Sequence, residues 1–316
     1  MTTNKMIKTL TREEPSLERP RLFVDLFLKG YLWSAYFGAR KLPKLKGVFY
    51  YIYRNIKNKK GIIKVETINK NELYIDLSDR IISGKLLQYG FWEEGLTTLV
   101  KKIIKPGMTV VDVGAHVGYY STLFSKLVGP NGRVYSFEPD PYNNSLLRAN
   151  VVLNKISNCI VEETAVSNKN GALSLHLDSE NLGAHSVAEL GNSGESIEVR
   201  TVSLDSYFQE KKMTKVDFMK IDIECWEDMA IEGANEIIKN NKDILIVLEF
   251  YPDGLKKINK DPKNFLHSLR LKGFNIFTIH NKTGDLTKQE DDSTLIDFCG
   301  NHLVNLFLTR NNFEKK

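Results

Sequence analysis

The chain has 316 residues, 42% of them hydrophobic and 26% charged, enough for one large domain with an extension and for a substantial core. Its net charge of +5 is unevenly spread: residues 1–60 hold 14 lysines and arginines against four acids, and the remainder holds 30 against 35. The three cysteines, Cys159, Cys225 and Cys299, stand far apart, which excludes a disulfide scaffold or a thiolate metal cluster and points to a reducing compartment.

The first 21 residues are polar and charged throughout, so no secretory signal is expected. Residues 22–39 ("LFVDLFLKGYLWSAYFGA") come nearest to a membrane span, yet they contain Asp25 and Lys29 and fall short of the roughly 20 apolar residues a crossing needs. Residues 40–60 then alternate cations with aromatics. Residues 1–60 therefore read as a basic, aromatic-rich helical extension. It either packs on the rest of the chain or on a second copy in a homodimer, or it rests on anionic lipid through residues 22–60. The expected location is cytoplasmic, peripheral at the inner membrane face in the lipid case.

Residues 61–316 read as one domain. "IIKVETI" (62–68) and "ELYIDL" (72–77) predict a β-hairpin lead-in over 62–77. "TTLVKKII" is helical and "KPG" at 105–107 ends it. From Thr109 onward strands and helices alternate, which implies an α/β fold with a mostly parallel sheet covered on both faces. The strands are "TVVDV", "RVYSFEP", "NCIVEE", "VDFMKIDIE", "DILIVLEF", "FNIFTI" and "LVNLFLT", and the last two suit a closing antiparallel pair. Between the third and fourth lie "GALSLHLD" and "SIEVRTVSLDSYF", joined by a loop over 179–196 that is longer than such units normally need.

The first strand runs into "DVGAHVGYYS". Gly114 and Gly118 allow a close backbone approach to a ligand, but their spacing is G-x-x-x-G, not the G-x-G-x-x-G of a dinucleotide turn, and Asp112 puts a negative charge beside it. That charge repels a pyrophosphate and attracts a cation. Glu138 ends the second strand, where a carboxylate can accept both ribose hydroxyls of a nucleoside. S-adenosylmethionine, an adenosine with a sulfonium and an ammonium and no phosphate, suits both features. His116 can stand in such a turn because no phosphate must be wrapped.

The ordered motifs "KPGMTVVDVGAHVGYYS", "FEPDP", "ETAVSNKNG", "VRTVSLDSY", "KIDIECWE" and "VLEF" resemble the FkbM-type S-adenosylmethionine-dependent methyltransferases from about Gly90 to Arg310. The resemblance implies a Rossmann-like class I methyltransferase domain with a seven-stranded sheet. It implies O-methylation of a hydroxyl on a sugar, a glycan or glycolipid, or a natural product, with S-adenosylmethionine as cofactor. The expected cofactor-binding residues are Asp112, Gly114, His116, Gly118, Glu138, Pro139, Thr164, Ala165 and Asp222. Two positions depart from the family pattern: Cys225 and Trp226 stand in "DIECWE" where a glycine and a variable residue are usual, and His116 replaces an asparagine.

Removing an alcohol proton calls for a base. Asp222 and Glu224 after the fourth strand, and Glu249 at the end of the fifth, are the candidates, with His185 in the long loop as a fourth. Asp222 equally suits the cofactor's ammonium, Glu224 a helix N-terminus, and Glu249 a purely structural role. Trp92 and Glu93 precede the first strand and could close over the site. No metal site is assigned. Two other readings stay open: a non-catalytic methyltransferase-like binding module, favoured by Cys225 and Trp226, and a nucleic-acid methyltransferase, favoured by the basic extension and opposed by the net acidity of the remainder.

Overall fold

The computed structural model describes residues 61–79, 81–177, 186–187 and 195–311. The extension at 1–60 and His185 lie outside the described residues, and so do the expectations attached to them.

Ile62–Glu66 (β1) and Glu72–Asp76 (β2) form the expected antiparallel hairpin. Two helices follow, Ile82–Tyr89 (α1) and Glu94–Ile103 (α2). The first was not anticipated; Asp79 starts it by accepting the N–H groups of Ile81, Ile82 and Ser83. Then come Thr109–Val113 (β3), Tyr119–Val128 (α3), Arg133–Phe137 (β4), Pro141–Leu153 (α4) and Cys159–Glu162 (β5). Ala165–Val166 (β6), Gly171–Leu177 (β7) and Glu195–Val202 (β8) build a separate small sheet in the order β6-β8-β7. Leu204–Glu210 (α5), Phe218–Ile221 (β9), Glu227–Glu232 (α6), Asn235–Asn240 (α7) and Leu245–Phe250 (β10) lead to Pro252–Lys257 (α8) and Pro262–Leu271 (α9). Asn275–Ile279 (β11), Leu286–Gln289 (β12), Asp292–Cys299 (α10) and Val304–Thr309 (β13) complete the chain.

The main sheet has the order β12-β11-β13-β10-β9-β3-β4-β5, parallel from β5 to β10 and antiparallel from β10 to β12. It has eight strands where seven were expected. The extra one, "LTKQ", has too few apolar residues to announce itself and pairs at the sheet edge, where one side stays in water. The predicted closing pair is β11 with β13. Residues 227–240 form two helices, because Ala234 leaves helical geometry and Asp205 accepts the N–H groups of Glu236 and Ile237, starting a second helix.

Strand alternation divides the core into two layers. Val111, Met219, Ile246 and Leu248 face one side, against α5 to α10. Val110, Phe218, Val247 and Phe307 face the other, against the hairpin, α2 and α3. Helices thus cover both faces, the architecture of a Rossmann-like methyltransferase. No helix among the described residues is long and apolar enough to cross a membrane.

Two asparagines one turn apart, Asn150 on α4 and Asn154 at its C-cap, dock the hairpin. The Asn150 and Asn154 amides each accept and donate one hydrogen bond to the backbone of β2, at Tyr74 and Glu72 respectively. Asn150 also donates to Val117 O at 2.7 Å, which ties the hairpin to the glycine turn.

Candidate active site

The chain leaves β3 for β4 on one side and returns to β9 on the other, so the sheet has a switch point at β3. Open α/β sheets bind ligands there, outside the strands' carboxyl ends. A cavity of about 820 Å³ occupies that place, lined by Gly114, His116, Glu138, Asp222 and Glu249 among others.

The glycine turn is shaped by close contact. Gly114 has φ +76°, and a Cβ there would lie 1.8 Å from Asp222 O. Gly118 precedes α3 with φ +89°, and its Cβ would meet Leu147 Cδ1 at 2.4 Å. The N–H groups of Gly114 and Ala115 both donate to Phe137 O at 3.0 Å, that of Gly118 to Ala115 O at 2.9 Å, and that of His116 to Glu138 Oε2 at 2.7 Å. A phosphate cradle needs such donors free and converging outward. Here three of them are spent on the end of β4 and Glu138 and one within the turn, and the group presented to the ligand is the Glu138 carboxyl.

Glu138 is 6% exposed. Burial pushes its carboxyl up to about 8, while the N–H groups of Asp140 and His116 oppose the rise. Each oxygen takes one backbone donor and keeps a lone pair for a ligand hydroxyl. Pro139, Asn143, Thr164 and Ala165 line the same end of the cavity.

Behind the turn lies a buried ion cluster centred on Lys220. Its ammonium is 2.8 Å from Asp222 Oδ2 and 3.9 Å from Asp112 Oδ1, and it sits 5.2 Å from the Tyr120 ring centroid. Burial alone would lower the Lys220 pKa, but the carboxylates of Asp222 and Asp112 outweigh it and raise it. Asp112 accepts from Ser121 Oγ at 2.6 Å, and burial raises its own pKa to about 6. Sequence reasoning missed Lys220; a lone cation in the apolar strand "FMKI" was the available signal.

Acids crowd the opposite wall. Glu249, next to last in β10, is 8% exposed, with Oε2 buried and without a hydrogen-bond partner among the described residues. Burial, followed by the charges of Asp222, Glu224, Glu227 and Glu93, raises its pKa well above the carboxylate range. Glu227 does not line the cavity; it is buried, accepts the Ile223 N–H at 3.0 Å and is pushed by burial up to about 8. Glu93 takes the Tyr120 hydroxyl at 3.1 Å and the Asn305 amide, and burial raises its pKa as well. Glu224 (φ +52°) and Cys225 (φ +70°) are consecutive left-handed residues, and Trp226 completes the wall, its Nε1 donating to Ser167 Oγ at 3.2 Å.

The structure brings Gly114, His116, Glu138, Pro139, Thr164, Ala165, Asp222, Glu224 and Glu249 around one cavity. Two residues of the expected set stand back from it. Asp112 is fully buried beneath the turn, bonded to Ser121 and close to Lys220, and Gly118 is pressed on Leu147; neither lines the cavity. The long insertion does reach it: Leu175 and Val187 line the cavity, and Ser186 Oγ donates to Glu224 O at 2.7 Å. Among the described residues no group of three or more His, Cys, Asp or Glu side chains is arranged to hold a metal.

The model of the FkbM methyltransferase domain matches residues 112–276, more than half of the chain. The chain belongs to the FkbM methyltransferase family. That family uses S-adenosylmethionine, and the turn, the ribose-ready Glu138 and the acidic walls fit a cationic adenosine cofactor. A curated relative is the 31-O-demethyl-FK506 methyltransferase FkbM of Streptomyces tacrolimicus, 28% identical over 42% of this chain and 62% of that protein. Another is a protein-L-isoaspartate O-methyltransferase of Triticum aestivum, 33% identical over 27% of this chain and 34% of that one. The chain thus matches less than two thirds of the length of either relative. Among solved structures, a precorrin-6y C5,15-methyltransferase from Geobacter metallireducens aligns at TM-score 0.39 and 16% identity, covering 69% of this chain and 87% of that one. Aeropyrum pernix fibrillarin aligns at 0.40 and 12%, covering 80% and 83%.

Proposed function

We propose that this FkbM-family chain is an O-methyltransferase acting on a hydroxyl of a sugar, a glycan or glycolipid, or a natural product. The observation that carries it is the cavity at the switch point, with a carboxylate in place of free phosphate donors at one end and an unsatisfied carboxyl, Glu249, at the other.

When bound, S-adenosylmethionine supplies a methyl carbon whose bond to sulfur breaks as an acceptor oxygen takes it. The chain's own residues hold the parts. Glu138 accepts the ribose hydroxyls, and Thr164 and Ala165 border the adenine end. Asp222, held by Lys220 at 2.8 Å, offers its remaining oxygen to an ammonium. Holding reactants in line can supply about 7 to 11 kcal/mol of the barrier. Glu249 receives the acceptor's proton: a carboxyl with a raised pKa is a stronger base once ionised, and a positive charge in the cavity favours that ionised form. Glu224, across the same cavity, orients the acceptor hydroxyl.

The test is transfer of label from S-adenosylmethionine to fractionated carbohydrate and lipid extracts, comparing the native protein with Glu249→Gln. Transfer falling by about 100-fold or more, with cofactor affinity within a few-fold, is the expected result for loss of a base. Unchanged transfer by the variant contradicts the role given to Glu249. Cofactor binding with no label on any extract favours instead a binding module, the reading that Cys225 and Trp226 suggest.

A further inference from the structure

Away from the carboxylates, the cavity wall changes character. α1 supplies Lys85, the α1–α2 junction supplies Phe91 and Trp92, and the turn between β11 and β12 supplies Asn281 and Lys282. These segments are built against each other. The Gly95 N–H donates to Asn281 O at 2.8 Å, and a Cβ on Gly95 would lie only 2.1 Å from His280 O. On the other side of the contact, a Cβ on Gly284 would lie 2.6 Å from Gly95 O. Two segments nearly 200 residues apart are thus fixed as one surface, and both place a lysine on it.

The Lys85 ammonium lies 4.3 Å from the Trp92 ring centroid. Lys85 and Lys282 are exposed, and among the described residues neither ammonium is ion-paired with a carboxylate. Of the two acids at this junction, Glu93 takes the Tyr120 hydroxyl and the Asn305 amide and Glu94 alone is exposed, so the exposed charge on this wall is two ammonium groups against one carboxylate.

We propose that this wall is the acceptor site and that the acceptor is a sugar bearing an anionic group, a carboxylate or a phosphate. The inference rests on the methyltransferase reading above and narrows its substrate class. Each part of such a ligand meets its complement. The C–H face of a sugar ring lies on the Phe91 and Trp92 rings, its hydroxyls reach the Asn281 amide, and its anion meets the two ammonium groups. Charge also sets the direction of entry. Asp222, ion-paired with Lys220 but facing the cavity, disfavours the anionic end, which stays with Lys85 and Lys282, and a neutral hydroxyl turns inward towards Glu249. The wall would then select which hydroxyl is methylated.

Saturation-transfer difference NMR tests this with the full chain saturated in S-adenosylhomocysteine, using glucose, glucuronate and glucose 6-phosphate as probes matched except at C6. Both anions are expected to bind about tenfold or more tightly than glucose, and Lys85→Glu/Lys282→Glu to remove that preference, since a charge-assisted contact is worth at least that factor. The ratio of the two anions tells a uronate site from a phosphosugar site. Glucose binding as well as the anions, no binding of any probe, or an unchanged preference in the double variant overturns the inference. S-adenosylmethionine affinity is measured on both proteins in parallel. An equal loss there places the lysines on the cofactor and also overturns it, whereas failure of the native protein to bind the cofactor at all defeats the methyltransferase reading instead.

Discussion

Glu138 carries two opposing influences: burial raises its pKa to about 8, and two backbone donors favour its charged form. Only the carboxylate accepts two hydroxyls at once. Cofactor affinity is therefore predicted to tighten as pH rises through about 8 in the native protein and to be weaker and flatter with pH in Glu138→Gln, by calorimetry. Cys225 poses a different residue-scale problem. It holds φ +70° where the family pattern has glycine, while its Sγ is buried against Gly254. A left-handed side-chain-bearing residue costs about 1 to 2 kcal/mol. Alanine would lose the sulfur contact and keep that cost, whereas glycine would lose the contact and shed it. Cys225→Gly is predicted to be more stable than Cys225→Ala by about 1 kcal/mol in urea unfolding, the reverse of the usual order. A more stable alanine variant contradicts the strain.

At the scale of elements, the Asn150 amide makes three hydrogen bonds that hold the hairpin to α4 and to the glycine turn. Its replacement by alanine is predicted to destabilise the fold by about 3 kcal/mol, because buried backbone groups at Tyr74 and Val117 lose their partners. Unfolding midpoints check this. Much at this scale was legible in the sequence. "TVVDV" and "RVYSFEP" read correctly because buried parallel strands impose dense apolar runs. β12 and α1 were hidden for the opposite reason: an edge strand and a helix with few buried side chains leave little hydrophobic period to detect. The site was legible where chemistry sits at strand ends, as with Glu138, Asp222 and Glu249. It was not legible where chain geometry decides, as with Asp112 turning inward to Ser121, or Lys85 and Lys282 lining one cavity from segments nearly 200 residues apart.

Over the whole molecule, several buried acids share a sign. In the free protein Asp112 is raised to about 6, and Glu138 and Glu227 to about 8. Between the ordinary carboxylate range and pH 8 the native state therefore holds more protons than the unfolded chain, so the stability these groups contribute is full at low pH and is lost as pH rises through 8. The unfolding temperature of the free protein is predicted to fall between pH 5.5 and 8.5, and saturating cofactor to flatten that fall. A cation entering the cavity should also drive protons off these groups. Calorimetry in buffers of different ionisation enthalpy should find net proton release on binding S-adenosylmethionine, and less on binding S-adenosylhomocysteine, which lacks the sulfonium charge.

The most direct measurement is a paired titration at pH 7.5 with S-adenosylmethionine and with NAD, since the N–H groups of Gly114, Ala115, His116 and Gly118 are already bonded within the protein and Glu138 presents its carboxyl beside them. S-adenosylmethionine is predicted to bind with a dissociation constant on the order of micromolar, roughly 8 kcal/mol, and NAD to give no saturable heat. Saturable NAD binding with the sulfonium compound excluded would contradict the assignment of the cavity.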